Sequence, residues 1–138
     1  MTLEELKHYR YNRLMIDYYL EKIMVLQLSK RPQWSWPKEV SHDSEIPERI
    51  AAMSTDEKQT ELERIQEEVT KFEEAYIMTQ KKISRIYSKR LRLIIEYRFL
   101  EDLTWKEVAE KLAGNATENA VKQSFRHFLK RQQEKAPS

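Results

Sequence analysis

Near the carboxyl end, Asn119, Lys122, Gln123, Arg126 and Lys130 recur at spacings that place them on one side of a helix. Their chemistry is that of base-edge and phosphate recognition. Asn and Gln amides can bond an adenine edge through two hydrogen bonds, Arg can do the same with guanine, and Lys meets phosphate oxygens. Asn119, Lys122, Gln123 and Arg126 are therefore expected to read sequence. Lys130 and Arg131, with Arg90 and Arg92 upstream, are expected to hold the sugar–phosphate backbone. Glu118 stands among them with three possible roles: favouring the helix N-terminus, accepting from cytosine, or repelling phosphate. His127 reads as an ordinary surface residue. The opposite side of the same stretch carries Val121, Phe125, Phe128 and Leu129, at i, i+4, i+7 and i+8, and must face a core.

Such side chains need a rigid carrier. Thr117 begins their helix as its cap and joins the candidate contact residues. Before it, Thr104 with Glu107 three residues on forms a capping box, so another helix starts there. Trp105, Val108, Ala109 and Leu112 make its inner face, and Ala109 leaves room for a closely crossing helix. Gly114, the only glycine, and Asn115 can take left-handed backbone angles and end that helix. Ser88 caps a helix further upstream. It has Leu91, Ile94, Ile95 and Phe99 on one face, with Arg90, Arg92, Glu96 and Arg98 on the other, and Glu101 to Leu103 link it onward. Residues 88–138 thus read as a three-helix unit whose last two helices have the grammar of a helix-turn-helix. In such a unit the second helix lies in the major groove. The plainer alternative is a three-helix bundle with an ordinary polar face.

Residues 1–87 read as a helical hairpin. Leu3 to Ser29 is a helix with an approximate stripe at Leu6, Tyr9, Leu14, Ile16, Leu20, Ile23 and Leu26, and Met15 to Leu28 is apolar on more than one face. Residues 30–53 are a loop interrupted by Pro32, Pro37 and Pro47. Trp34 and Trp36 are expected to pin that loop onto the helices; the alternative is an exposed partner-binding patch. His42, Asp43 and Glu45 match no metal-ligand spacing and read as solvated loop. A short helix at Pro47 to Met53 follows. Ser54 with Glu57 then caps a long helix with a heptad-like seam of Leu62, Ile65, Val69, Phe72, Tyr76, Ile83 and Ile86, in which Thr79 is the polar member. From Thr55 to Tyr87 that helix would span about 50 Å. Two apolar helices joined by a proline-bearing loop pack antiparallel. A first helix greasy on several sides would still leave apolar surface in water, so homodimerisation through the hairpin is expected.

The composition agrees with an all-α chain. Of 138 residues, 35% are charged, with one Gly and four Pro, which favours long solvated helices and offers few turns for a sheet. The length suits one domain, or a small domain with an extension. No run of about 18 apolar residues suggests a membrane span, and the first residues do not resemble a signal peptide. The absence of cysteine excludes disulfides and suits a reducing cytosol. Charge is graded along the chain: residues 1–53 carry 8 basic and 8 acidic groups, 54–80 carry 3 and 8, and 81–138 carry 14 and 7. A basic rear is the distribution expected of a segment that meets a polyanion. The sequence has no glycine-rich phosphate loop and no serine elbow, and His8, His42 and His127 are scattered. It is therefore not expected to be an enzyme, and no catalytic residue, metal site, cofactor or small-molecule substrate is assigned.

One stretch resembles a known family. Leu91, Ile94-Ile95, Tyr97 to Trp105, Glu107-Val108-Ala109 and Leu112, followed by Thr117 and Ala120-Val121, look like the sigma-factor region 4 type of helix-turn-helix. More narrowly, the pattern is similar to small phage transcriptional regulators of the RinA and ArpU kind, which place a coiled-coil-rich helical part before such a unit. The turn between Leu112 and Val121 is longer here than in that pattern. The resemblance implies promoter-region binding of double-stranded DNA, activation of late phage genes, contact with host RNA polymerase, and residence in the bacterial host cytoplasm. Two other readings remain: a small-terminase-like DNA-packaging protein, which also joins a helix-turn-helix to oligomerising helices, and a helical adaptor acting through the tryptophan loop and the acidic helix.

Overall fold

A computed structural model describes residues 1–31, 33–35, 46–112, 114 and 116–135. The architecture is all-helical: α1 (Leu3–Leu28), α2 (Glu48–Ala51), α3 (Thr55–Ser84), α4 (Lys89–Ile95), α5 (Trp105–Lys111) and α6 (Glu118–Lys135). Helix α1 packs antiparallel against α3, and α4 to α6 form the three-helix unit expected to follow this hairpin. Among the described residues no helix is long and apolar enough to cross a membrane.

Helix boundaries follow the local signals closely. The Ser54 hydroxyl accepts from the Glu57 amide at 3.2 Å at the start of α3, and Ser88 accepts from the Leu91 amide at 3.2 Å at the start of α4. Each satisfies one of the amides that the first helical turn leaves without an intrahelical partner. Helix α3 stops at Ser84 rather than running to Tyr87. The Arg85 and Ile86 amides turn tightly onto the Lys82 and Ile83 carbonyls, at 3.3 and 3.0 Å, and end it.

The packing divides into two compact units, Met1–Arg13 with Glu74–Ser138, and Leu14–Glu73. In the second, Leu26, Leu62 and Ile65 form a small core flanked by Tyr19, Ile23 and Ile50. Tyr19 stacks on Phe72 with ring centroids 5.9 Å apart, and Lys30 donates to Gln59 at 2.6 Å. In the first unit, Leu6 and Tyr9 are fully buried in one core with Ile94, Ile95, Val108 and Val121. The expected boundary after residue 87 therefore does not coincide with a break in packing, because the first turns of α1 help to cover the three-helix unit.

Two expectations about the hairpin are corrected. The approximate stripe expected on α1 includes Leu14 and Leu20, yet each is 47% exposed, and Tyr19 and the largely buried Asn12 face inward. A helix apolar on several sides offers more than one possible inner face, and packing against α3 selects among them. Trp34 does not pin its loop: it is 87% exposed, on a short 3-10 turn at Gln33–Ser35. Trp36 and the loop residues His42, Asp43 and Glu45 lie outside the described residues.

Candidate nucleic-acid interface

Helix α6 is held by apolar contact along one side. Val121, Phe125 and Phe128 are buried at 0%, 4% and 8% exposure, and Leu129 is half-buried. Burial of large apolar side chains contributes on the order of 1.5–3 kcal/mol each, which fixes the rotation of the helix about its axis. Phe125 lies against Phe99 and Trp105, with centroids 5.1 and 5.5 Å apart. Helix α5 packs on α6, and its Val108 and Ala109 are buried in the core the two share. Ala109 keeps this contact free of bulk, as close helix crossing requires.

Helix α5 starts on a complete capping box. Thr104 Oγ1 accepts from the Glu107 amide at 3.2 Å, and Glu107 Oε1 accepts from the Thr104 amide at 3.1 Å. The hydrogen bonds from Thr104 hold the Glu107 carboxyl below the usual carboxylate range. Past α5, Gly114 has φ +101°, and a side chain there would meet no atom within 4 Å. The glycine serves backbone conformation rather than space. Asn115 lies outside the described residues.

With α6 so held, the candidate residues sort into distinct positions. Asn119, Gln123, Arg126 and Lys130 are all exposed, and their spacing forms one stripe opposite the buried face. Thr117 is the cap, its Oγ1 accepting from the Ala120 amide at 3.1 Å. Glu118 and Lys122 pair with each other at 3.1 Å. Lys122 is half-buried at the flank of the stripe, and this pairing partly neutralises both residues at the start of the helix. Arg131 is exposed one step beyond Lys130.

The upstream arginines separate. Arg90 Nη1 donates to Ser124 Oγ at 3.1 Å, tying the start of α4 to α6. Arg92, two residues further, is turned about 200° around α4 from Arg90 and does not share that side. Nothing in the sequence marks Ser124, because a hydroxyl on the flank of an amphipathic helix gives no distinctive signal.

Glu96 and Arg98 depart most from expectation. A regular helix would put both on an outer face, but the helix widens into a π turn over Glu96–Leu100, where the Glu101 amide reaches the Glu96 carbonyl at 3.0 Å. The additional residue in that turn rotates the following side chains relative to a regular helix. Arg98 Nη1 donates to the Leu103 carbonyl at 2.8 Å, and its guanidinium lies 5.1 Å from the centre of the Trp105 ring. It holds the link to α5 rather than facing a ligand. Glu96 accepts from the Tyr9 hydroxyl at 3.2 Å; burial pushes its carboxyl above the ordinary range. The link itself turns at Asp102, whose φ is +58°, a conformation that a short polar side chain tolerates.

Among the described residues no group of His, Cys, Asp and Glu is arranged to hold a metal ion. No protein-family model, no curated protein and no solved structure matches the chain.

Proposed function

We propose that this chain is a sequence-specific transcription regulator that binds double-stranded DNA. Its resemblance to phage late-gene regulators favours an activator, working at a promoter with host RNA polymerase in the bacterial cytoplasm. The observation that supports this most directly is α6. Its apolar side is buried, and its opposite side presents Asn119, Gln123, Arg126 and Lys130 as an exposed stripe. The stripe combines amide and guanidinium groups suited to base edges with an ammonium suited to phosphate. The basic carboxyl-terminal segment adds a field that attracts a polyanion. In this reading the hairpin pairs two copies, because Leu14, Tyr18, Leu20 and Met24 leave apolar surface in water on α1.

Selection of bound duplexes from a random library tests the proposal and yields the site and its symmetry. Affinity for the selected duplex is expected to fall steeply with salt as phosphate contacts release counterions. Gln123→Ala or Arg126→Ala is expected to cost about 1–3 kcal/mol at that site and little on unrelated DNA. Absence of salt-dependent duplex binding would favour a helical adaptor, for which the exposed Trp34 is the specific supporting feature. Binding confined to packaging-start DNA by a ring assembly would favour a small-terminase-like protein.

A further inference from the structure

The junction between α3 and α4 forms a second basic surface that the recognition stripe does not include. An open groove of about 610 Å³ runs there, lined by Met1, the last turn of α3, the turn that follows it, the α4 start and the carboxyl-terminal half of α6. Its apolar wall is made by Met1, Ile86, Leu91 and Phe128. Arg85 and Arg131 stand on it from α3's end and from α6, and neither has a side-chain hydrogen bond or ion pair among the described residues. Lys82, also on the groove, is already paired with Glu5 at 2.6 Å and so contributes little free charge. Tyr87 also lines the groove and is fully exposed, at 101%. It sits at the break between two helices with Arg85, Lys89 and Arg90 within three residues of it.

We propose that this groove seats one strand of the duplex's sugar–phosphate backbone, with Arg85 and Arg131 neutralising phosphates and the Tyr87 hydroxyl donating to a phosphate oxygen. The inference rests on the DNA-binding reading above. Three features select this occupant. The two guanidinium groups, unpaired among the described residues, supply the charge and the donor forks that phosphate oxygens take. The apolar wall suits the carbon face of a deoxyribose, and the exposed phenol supplies a donor of the kind that commonly meets backbone oxygens. The groove and the stripe share one helix, since α6 carries Lys130 on the stripe and Arg131, about 100° further round, on the groove. A helix seated in the major groove has a phosphate strand along its flank. Arg90 is not part of this contact set: its bond to Ser124 holds α4 against α6 and keeps the groove wall in place.

The test measures binding of the full chain to the selected duplex and to an unrelated duplex, across a range of salt. Arg85→Gln is expected to weaken both complexes by the same factor and to reduce the slope of log affinity against log salt by about one. Tyr87→Phe should weaken both by one common factor and leave the slope unchanged, since no charge is lost. Gln123→Ala is the contrast, with its loss confined to the selected duplex. All three side chains are exposed, and circular dichroism checks that each variant keeps its helicity. Unchanged affinity and slope in Arg85→Gln and Tyr87→Phe, while Gln123→Ala still loses the selected site, would overturn the groove assignment and leave the DNA-binding reading intact. A loss in Arg85→Gln confined to the selected duplex would also overturn it, because a phosphate contact carries no base identity of its own. Failure of the unsubstituted chain to bind any duplex would overturn both.

Discussion

The hydroxyl of Tyr9 donates to Glu96 Oε1 at 3.2 Å, joining residues 87 positions apart. Tyr9 is fully buried and stacks on Tyr76, with centroids 5.0 Å apart. One hydrogen bond and one ring contact therefore connect the first turns of α1 to α3 and to the π turn before α5. Burial, followed by the nearby Glu96 charge, pushes the Tyr9 hydroxyl's pKa up, so it remains a donor throughout the physiological range.

The Glu96 carboxyl gives this contact a pH signature. Burial raises its folded-state pKa above the ordinary value of 4.5. Between those two values the folded chain binds more protons than the unfolded chain, so this group's contribution favours folding most at low pH and declines as pH rises. Glu96→Gln keeps an acceptor for Tyr9 and removes the titration. Urea unfolding of both proteins is expected to show the variant gaining stability relative to the parent as pH rises from 4.5 toward neutrality. A difference that stays constant across that range would show that the carboxyl does not titrate differently in the fold. Glu5 pulls the other way. Burial raises its pKa, but the hydrogen bond and charge of Lys82 outweigh that and hold it lowered, so its contribution is lost as pH falls below the carboxylate range. The comparison of parent with variant cancels that term.

The capping box of α5 is open to a direct stability measurement. Thr104→Ala removes the acceptor for the Glu107 amide and is expected to cost about 1 kcal/mol, read as a lower urea midpoint with an unchanged slope. Thr104→Ser retains the hydroxyl and should recover most of the loss. Equal losses in both variants would mean that the threonine acts through its methyl group rather than as a cap.

Pairing of two copies through the hairpin predicts that the parent chain sediments as a dimer at micromolar concentration. Leu14 and Tyr18 are 47% and 48% exposed on α1, so Glu at both positions should leave each protomer folded while driving the species toward monomer. Helicity by circular dichroism separates loss of pairing from loss of fold. A stable monomer in the parent chain would remove the basis for the hairpin as a dimerisation element.

Much of the fold is legible from local pattern. Ser54, Ser88, Thr104 and Thr117 each accept from an amide three residues on, and a contact of that range is encoded by its immediate neighbours. The inward set on α6 is equally local: Val121, Phe125 and Phe128 are separated from Asn119, Gln123, Arg126 and Lys130 by helical spacing alone. The all-helical class and the division of α6 into an apolar and a polar face were therefore determined by the sequence itself.

Where several local answers were equally good, tertiary packing decided. Helix α1 is apolar around much of its circumference, and contact with α3 turned Tyr19 inward and left Leu14 and Leu20 partly in water. Glu96 and Arg98 follow a regular amphipathic pattern on paper. The π turn and the Tyr9 hydroxyl drew the first into a half-buried hydrogen bond, and the second onto the Leu103 carbonyl and the Trp105 ring. The groove beside Tyr87 combines groups from α3, α4 and α6, more than 40 residues apart at its ends, so no sequence window contains it. Periodicity specifies which side of a helix is apolar. Only the partner that covers that side determines which polar groups are left to meet a ligand, because burial is a property of two surfaces and a sequence window describes one.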